Sequence, residues 1–194
     1  MRLDKLLANY GIGTRKEVKS YIRKGFVEVN GEIIKKDDYK AIFETIASDS
    51  EVAKYLTWNA HKDYEDTKKL VNKWLCDYEN DYTFRWLVTL KDDNTPIGMI
   101  DLINVNIGES KAEIGYCYGR KWWGNGYATE ALTKVLEYVS SEIEYLYAMY
   151  VKENPASGKV MQKAGMSYAG CLKLYAKVQG FREDVHVYYY ISKK

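Results

Sequence analysis

Apolar and polar residues follow a helical period in part of the first half of the chain. The stretches DDYKAIFETIAS and DYEDTKKLVNKWLCDYEN place apolar residues three and four positions apart, with charged residues between them. This spacing is typical of amphipathic helices, so we predict helices over residues 37–48 and 63–80.

Short apolar runs bounded by turn residues dominate the second half of the chain. Such runs predict strands. We place three antiparallel strands over residues 84–90, 97–106 and 111–119. Three further strands are predicted over residues 144–151, 168–178 and 184–191.

Two helices are predicted among these strands. One covers residues 127–140, and because it connects two strands we expect those strands to be parallel. A shorter one covers residues 155–165, with Pro155 at its start and Gly165 at its end. The predicted fold class is therefore α+β, a mixed α/β arrangement in which helices flank a central mixed sheet.

The first 36 residues predict a small unit of their own, made of a helix, a turn, a helix and a hairpin. Thr14 and Glu17 form a capping box ahead of the second helix, and Asn30-Gly31 is a strong hairpin turn. Residues 1–36 hold 9 Lys and Arg against 4 Asp and Glu, whereas the remainder holds 20 against 23. We therefore predict two units with different partners, residues 1–36 and residues 37–194.

Composition narrows the class of protein. No apolar run reaches the roughly 18 residues of a membrane span, and no secretory apolar segment is present, so we expect a cytoplasmic protein without a membrane partner. The three cysteines, Cys76, Cys117 and Cys171, are widely spaced, which predicts free thiols in a reducing compartment. The two histidines are too few and too isolated to predict a metal site.

Gly124 and Gly126 stand directly before the helix predicted from Tyr127. The first turn of a helix leaves backbone N–H groups without intrahelical partners, and these groups attract phosphate. A glycine pair alone is more often a structural turn. The position between a strand and a helix strengthens the phosphate hypothesis, although the segment has neither a GK[ST] sequence nor the full dinucleotide-binding spacing.

The segment AEIGYCYGRKWWGNGYATEAL, followed one strand later by NPASGKVMQKAGM, resembles the acetyl-CoA-binding core of the GNAT superfamily of N-acetyltransferases. The branch it resembles contains the ribosomal-protein N-terminal acetyltransferases, and the resemblance extends from about residue 37 to residue 192. It implies the GNAT acyl-CoA N-acyltransferase fold, acetyl-CoA as cofactor and an amine as acceptor.

The resemblance also implies where acetyl-CoA binds. In this family the amides of the glycine turn hold the CoA pyrophosphate, and the pantetheine arm enters a gap between two splayed strands. The residues assigned to acetyl-CoA in this way are Cys117, Tyr118, Trp123, Gly124, Asn125, Gly126, Tyr127, Ala128, Thr129, Asn154 and Ser157.

Direct attack of a neutral amine on the thioester requires a base, oxyanion donors and a group that manages the leaving thiolate. The resemblance implies Glu113 as the base, with Asp101 as a second candidate, and backbone N–H groups near Tyr118 as oxyanion donors. Many members use a tyrosine as general acid at the position where this chain has Met161. We therefore expect Ser157 or a bound water to protonate the thiolate.

The segment MRLDKLLANYGIGTRKEVKSYIRKGFVEVNG resembles the alpha-L RNA-binding motif named after ribosomal protein S-four, as it occurs in small-subunit ribosomal RNA pseudouridine synthases. Three of its basic residues recur every four positions and form one stripe, which suits phosphate neutralisation. The residues assigned to RNA are Arg2, Lys5, Arg15, Lys16, Lys19, Arg23 and Lys24.

Two interpretations of the join between the units stay open. Either Phe26 to Lys36 supplies the first strand of the enzyme's sheet and the RNA unit is truncated, or both units share this segment and both work.

The function that these patterns favour is N-acetyl transfer from acetyl-CoA to a protein N-terminus, an amino sugar or a small amine. Trp58 and His61 hold family positions that line the acceptor site. The alternative is an RNA- or ribosome-binding protein whose GNAT unit binds acetyl-CoA with little or no turnover. A third hypothesis is a detoxifying enzyme that carries a fusion remnant. The sequence leaves the oligomeric state open between monomer and homodimer.

Overall fold

The computed structural model describes residues 38–77 and 83–192. The predicted unit over residues 1–36, the proposed strand from Phe26 to Lys36 and the end of the predicted helix over 63–80 lie outside the described residues.

Six strands form one mixed sheet in the order β1-β2-β3-β4-β6-β5. Strands β3 and β4 are parallel, and every other neighbouring pair is antiparallel. The strands are β1 Phe84–Thr89, β2 Pro96–Asn106, β3 Lys111–Tyr118, β4 Tyr145–Val151, β5 Ser167–Val178 and β6 Phe181–Ile191.

Helices cover both faces of this sheet. The helices are α1 Tyr39–Ile42, which continues as a wide π-helical turn over Phe43–Ala47, α2 Ser50–Ala53, α3 Tyr64–Asp77, α4 Tyr127–Val139 and α5 Pro155–Lys163. A single 3₁₀ turn, Arg120–Trp122, links β3 to the glycine turn before α4.

Alternation along the strands creates two apolar cores, because successive side chains point to opposite faces of the sheet. On one face, α4 and α5 contribute Leu132, Leu136 and Met161 to a cluster with Ile114 and Leu146. The core on the opposite face joins α1 and α3 to β1 and β2. Its fully or largely buried members include Ile42, Ile46, Val71, Trp74, Leu87 and Met99.

The predicted α+β class is confirmed, and so is the parallel arrangement of the two strands joined by α4. Two predictions needed correction. The helix predicted over 37–48 is a short α-helix followed by a π-helical turn. Strand β6 begins at Phe181 and not at residue 184, because Gln179 and Gly180 form a two-residue turn with φ of 49° and 90°. Pairing resumes directly after it, with Val178 opposite Phe181.

Helix α2 was not predicted from the sequence. It is a single turn, and Asp49 caps it by accepting a hydrogen bond from the Glu51 N–H at 2.9 Å. Across residues 38–77 and 83–192, the helices are too short or too polar to cross a membrane.

Candidate active site

The two parallel strands at the centre of the sheet separate partway along their length. Pairing between β3 and β4 runs from Lys111 opposite Tyr145 to Ile114 opposite Ala148, and there it stops. Both strands nevertheless continue for several residues. A wedge-shaped gap therefore opens between residues 115–118 of β3 and residues 149–151 of β4.

Backbone groups of β3 face this gap. The Gly119 N–H donates to the Ile97 carbonyl at 2.9 Å, so at this position the backbone bonds toward β2. In an antiparallel pair the bonding direction alternates with each residue, which turns the N–H and C=O of Tyr118 and Tyr116 toward the gap. The Tyr118 carbonyl already accepts from Trp123 Nε1 at 2.7 Å, so an extended chain entering the gap finds the Tyr118 N–H and the two backbone groups of Tyr116.

The glycine turn stands at the wide end of the gap. Gly124 and Gly126 have φ of 78° and 88°, a region that glycine adopts without steric cost. Space is open where a Cβ would stand on either glycine. Helix α4 begins directly afterwards, and its first intrahelical backbone bond runs from the Glu130 N–H to the Gly126 carbonyl at 3.0 Å. The preceding amides thus form a positively polarised helix terminus at the mouth of the gap.

Residues around the turn fix its position. Trp123, about half of whose surface is exposed, donates from Nε1 to the Tyr118 carbonyl at 2.7 Å. The Asn125 side chain donates to the Trp123 carbonyl at 3.2 Å. The first bond ties the turn to the end of the splayed strand, and the second braces the turn itself.

Helix α5 borders the gap on the β4 side. Its N-cap residue, Asn154, accepts from the Ser157 N–H through the side chain at 3.4 Å. The Tyr116 hydroxyl lies 2.9 Å from the Ser157 carbonyl oxygen and 2.9 Å from Ser157 Oγ. Burial raises the pKa of Tyr116, and the bond to Ser157 acts in the opposite direction.

Sequence reasoning missed Tyr116. Its alternation with Ile114 places it on the face that α5 covers, which was a readable indication. Nothing in the sequence alone indicated that its hydroxyl would meet a serine 41 residues away.

Glu113 lies on the opposite face, one residue before the strands separate. Asn104 Nδ2 donates to Glu113 Oε2 at 2.9 Å, and Tyr147 lies directly across on β4. Burial raises the pKa of Glu113, whereas Asn104 and Tyr147 partly offset that rise. The carboxyl group is therefore poised to accept a proton more readily than an ordinary surface glutamate.

Asp101 occupies a different environment, although it stands on the same face. Its Oδ2 lies 3.3 Å from Arg85 Nη2, and the same guanidinium lies 3.5 Å from Asp77 Oδ2. The guanidinium also stacks over the Trp74 ring, 4.9 Å from its centroid. Burial raises the pKa of Asp101 while the Arg85 charge opposes the rise. This arrangement favours a structural ion pair.

Of three further residues singled out from the sequence, Tyr118 and Met161 are buried and Cys117 is half-buried. Cys117 packs against the α1 and α3 core, and burial raises the pKa of its thiol to about 12. The ring of Tyr118 lies against Gly98, and its buried hydroxyl has no hydrogen-bond partner among the described residues. Met161 is fully buried in the core beneath α5 and offers no proton donor.

Trp58 and His61 lie together near α3. Their rings are 5.4 Å apart, and His61 Nδ1 hydrogen-bonds Thr67 Oγ1 at 2.8 Å. Burial lowers the pKa of His61, which favours its neutral form. Trp58 packs against the same core as Cys117.

The candidate residues around the gap form two groups on opposite faces of the sheet. Ser157 and Tyr116 lie on the α4 and α5 face, whereas Glu113 and Asp101 lie on the α1 and α3 face. The seven residues assigned to RNA fall outside the described residues.

Two family patterns match the chain. The Acetyltransferase (GNAT) domain matches residues 32–167, and the S4 domain matches residues 1–41. The first match covers well over half of the chain and agrees with the sheet, the gap and the glycine turn. The chain therefore belongs to the GNAT acetyltransferase family, and it is an acetyl-CoA-dependent N-acetyltransferase.

Known proteins resemble the chain over most of the acetyltransferase region. The uncharacterized N-acetyltransferase YoaA of Bacillus subtilis is 28% identical over 153 residues, which are 78% of this chain and 86% of YoaA. The [ribosomal protein uS5]-alanine N-acetyltransferase of Escherichia coli is 33% identical over 96 residues, 48% of this chain and 50% of that protein. A GNAT-family acetyltransferase structure from Bacillus anthracis superposes with a TM-score of 0.72 at 29% identity, covering 83% of this chain and 93% of that one.

Proposed function

We propose that this enzyme transfers the acetyl group by direct attack of an amine on acetyl-CoA, without an acyl-enzyme intermediate. The observation that carries the proposal is the gap between β3 and β4, which opens directly beyond Glu113 on one face and is bordered by Ser157 on the other. An acyl-enzyme through Cys117 is disfavoured, because a thiol with a pKa of about 12 holds little thiolate at neutral pH.

Acetyl-CoA enters the gap with its pyrophosphate at the glycine turn. The backbone amides from Gly124 to Thr129 face the phosphates, and the pantetheine arm lies along Cys117 and Tyr118 as an added strand. Trp123 holds the turn, while Asn154 and Ser157 stand on the opposite wall. The positive φ of both glycines and the open space beside them support this placement.

Glu113 removes a proton from the amine, directly or through a water molecule. Backbone N–H groups near Tyr118 stabilise the oxyanion, and the hydroxyl of Ser157 serves the leaving sulfur. The raised pKa of Glu113 and its position at the start of the gap support its role as base. The ion pair with Arg85 argues against Asp101 in that role.

The acceptor is a protein N-terminus or a small amine, and the relative that acts on uS5 alanine supports the former.

Residues 1–36 bind structured RNA in this proposal, through Arg2, Lys5, Arg15, Lys16, Lys19, Arg23 and Lys24. The S4 match supports RNA contact, and the overlap of the two family matches over residues 32–41 favours a shared segment at the join of units 1–36 and 37–194. The cytoplasmic location stays a prediction.

A second candidate function is RNA or ribosome binding by a protein whose GNAT domain retains acetyl-CoA with little turnover. The methionine at position 161 favours it, because a methionine supplies no acid where many members of the family carry a tyrosine.

Thiol release from acetyl-CoA tests both candidates. A panel of small amines and N-terminal peptides is assayed while acetyl-CoA binding is measured by calorimetry. Turnover on one acceptor class supports the transferase and names its substrate class. Binding without turnover on any acceptor supports the second candidate, and absence of binding overturns the placement of acetyl-CoA.

A further inference from the structure

The hydroxyl of Tyr116 touches Ser157 twice, at the main chain and at the side chain. Both oxygen–oxygen distances are 2.9 Å. Tyr116 belongs to the splayed part of β3, and Ser157 to the first turn of α5, so this contact spans the gap's two walls.

Helix capping does not require the Ser157 hydroxyl. Asn154 already caps α5, because it accepts the Ser157 N–H through both its side chain at 3.4 Å and its carbonyl at 3.1 Å. Among the described residues, the hydrogen bond that Ser157 Oγ makes is the one to Tyr116. This bond therefore has a role other than capping the helix.

The proton inventory of the pair allows two arrangements. A tyrosine hydroxyl has one proton to donate, and a serine hydroxyl has one. If Tyr116 donates to the Ser157 carbonyl, the serine proton points back to Tyr116. If Tyr116 instead donates to Ser157 Oγ, it gives up its hydrogen bond to the Ser157 carbonyl, and the serine proton is free to point into the gap. Only this second arrangement lets the serine donate to a group in the gap.

We propose that Tyr116 is a positioning residue that holds Ser157 Oγ so that the serine hydroxyl donates to the sulfur of acetyl-CoA. The inference rests on the proposed function, since it assumes that the thioester sulfur lies beside Ser157. In this proposal two hydroxyls, one from β3 and one from α5, stabilise the leaving thiolate, because Met161 has no proton to donate.

The bonds in this step balance. The amine nitrogen forms a bond to the acetyl carbon, and the carbon–sulfur bond breaks with its electron pair moving to sulfur. The amine proton passes to Glu113 and then to water. Ser157 donates a hydrogen bond to the developing thiolate, Tyr116 polarises that donor, and the thiolate takes its proton from water on release.

Burial keeps the Tyr116 hydroxyl able to donate. Because its pKa is raised above the ordinary tyrosine value, the phenol stays protonated at neutral pH. The neighbouring Tyr150 ring packs against Gly158, where a Cβ would come within 2.6 Å of the ring. This close packing holds the first turn of α5 against β4 and so limits movement of Ser157.

Tyr116→Phe tests the proposal, because it removes the hydroxyl and keeps the ring. We expect kcat to fall about 10- to 100-fold, with the Kd for acetyl-CoA unchanged within about 2-fold. Ser157→Ala should lose a similar factor, and the double variant should lose little more than either single variant. Tyr145→Phe is the matched control, since it removes a hydroxyl from the start of β4, where that strand is still paired with β3, and its kcat should stay within about 2-fold of wild type.

The results separate the role of Tyr116 from the proposed acetyl transfer. If wild type turns over and Tyr116→Phe keeps its kcat while Ser157→Ala loses it, Tyr116 has no positioning role. Additive losses in the double variant would likewise overturn the pairing. Wild type that binds acetyl-CoA but acetylates no amine overturns the proposed function, and the role of Tyr116 with it.

Discussion

The carboxylates of Glu113 and Asp101 differ in the charge of the groups beside them. Glu113 and Asp101 share one face of the sheet, and burial raises the pKa of both. Glu113 has neutral neighbours, Asn104, which donates to it, and Tyr147, whereas Asp101 faces a guanidinium. Only the former environment leaves a carboxylate free to exchange a proton during turnover.

Glu113→Gln should lower kcat/KM by about 10²- to 10⁴-fold, the usual loss on removing a general base. In wild type the base works only when ionised, so activity falls as the pH drops through a pKa that lies above the ordinary glutamate value. The acidic limb should therefore stand at higher pH than an unperturbed glutamate would give, and it should vanish in the variant. Initial rates from pH 5 to 9 measure it.

Folding provides the control for that variant. A carboxylate whose folded pKa is raised binds protons more readily in the folded state, so its ionisation lowers stability as pH rises past the unfolded value. Glu113→Gln should consequently leave the melting temperature at pH 7 unchanged or higher. A marked fall would show that lost activity reflects lost structure.

Asp101→Asn should leave turnover largely intact. It weakens the attraction that holds Arg85, whose side chain is only 14% exposed, and leaves that guanidinium with Asp77 as its carboxylate partner. The same exchange relieves the burial that raises the pKa of Asp101, so the two effects oppose each other. We expect urea unfolding to change by no more than about 1 kcal/mol, with kcat kept within about 10-fold. A loss of kcat as large as that of Glu113→Gln, without a change in stability, would make Asp101 the base.

At the scale of elements, the glycine turn and the splayed strands together define the site. The turn owes its shape to two positive φ angles, and the gap owes its existence to pairing that ends at Ile114 and Ala148. Both features lie at the carboxyl end of β3, so a ligand at one meets the other.

Gly126→Glu should reduce acetyl-CoA affinity at least about 10-fold, because a carboxylate then stands among the amides that face phosphate. Gly165→Glu is a matched control, since Gly165 follows α5 with φ of 90° and also has open space beside it. Both variants carry a left-handed non-glycine residue, at a cost of about 1–2 kcal/mol. Calorimetry should find weakened binding only in Gly126→Glu, and equal weakening in both would remove the phosphate assignment.

At the scale of the whole molecule, the sequence predicted the periodic helices and strands better than the side-chain contacts that form between them. The α4 segment and the strands beside it were predictable, because their apolar spacing reflects burial on a sheet. The contact between Tyr116 and Ser157 was not, since it depends on how β3 and α5 meet after folding. The same holds for Asp101, whose ion pair with Arg85 arises from register between β1 and β2.

The other whole-molecule question is whether residues 1–36 act as an RNA-binding unit. If they do, affinity for structured RNA should fall steeply with salt, because each neutralised phosphate releases counterions. Exchanging Arg15, Lys19 and Arg23 for Gln should then reduce the slope of log K against log salt by about 2 to 3 in filter binding.

A matched triple exchange elsewhere separates this stripe from general charge. Lys54, Lys69 and Lys134 are exposed on the acetyltransferase domain, with side-chain exposures of 53%, 76% and 74%. Replacing them with Gln removes the same total charge, so a purely nonspecific attraction would weaken equally in both triples. We expect only the stripe variant to lose RNA affinity, while acetylation of a small amine stays unchanged in both. Retained affinity in the stripe variant would show that RNA binding does not depend on Arg15, Lys19 and Arg23. Absence of salt-sensitive affinity in wild type would leave the acetyltransferase without an RNA partner.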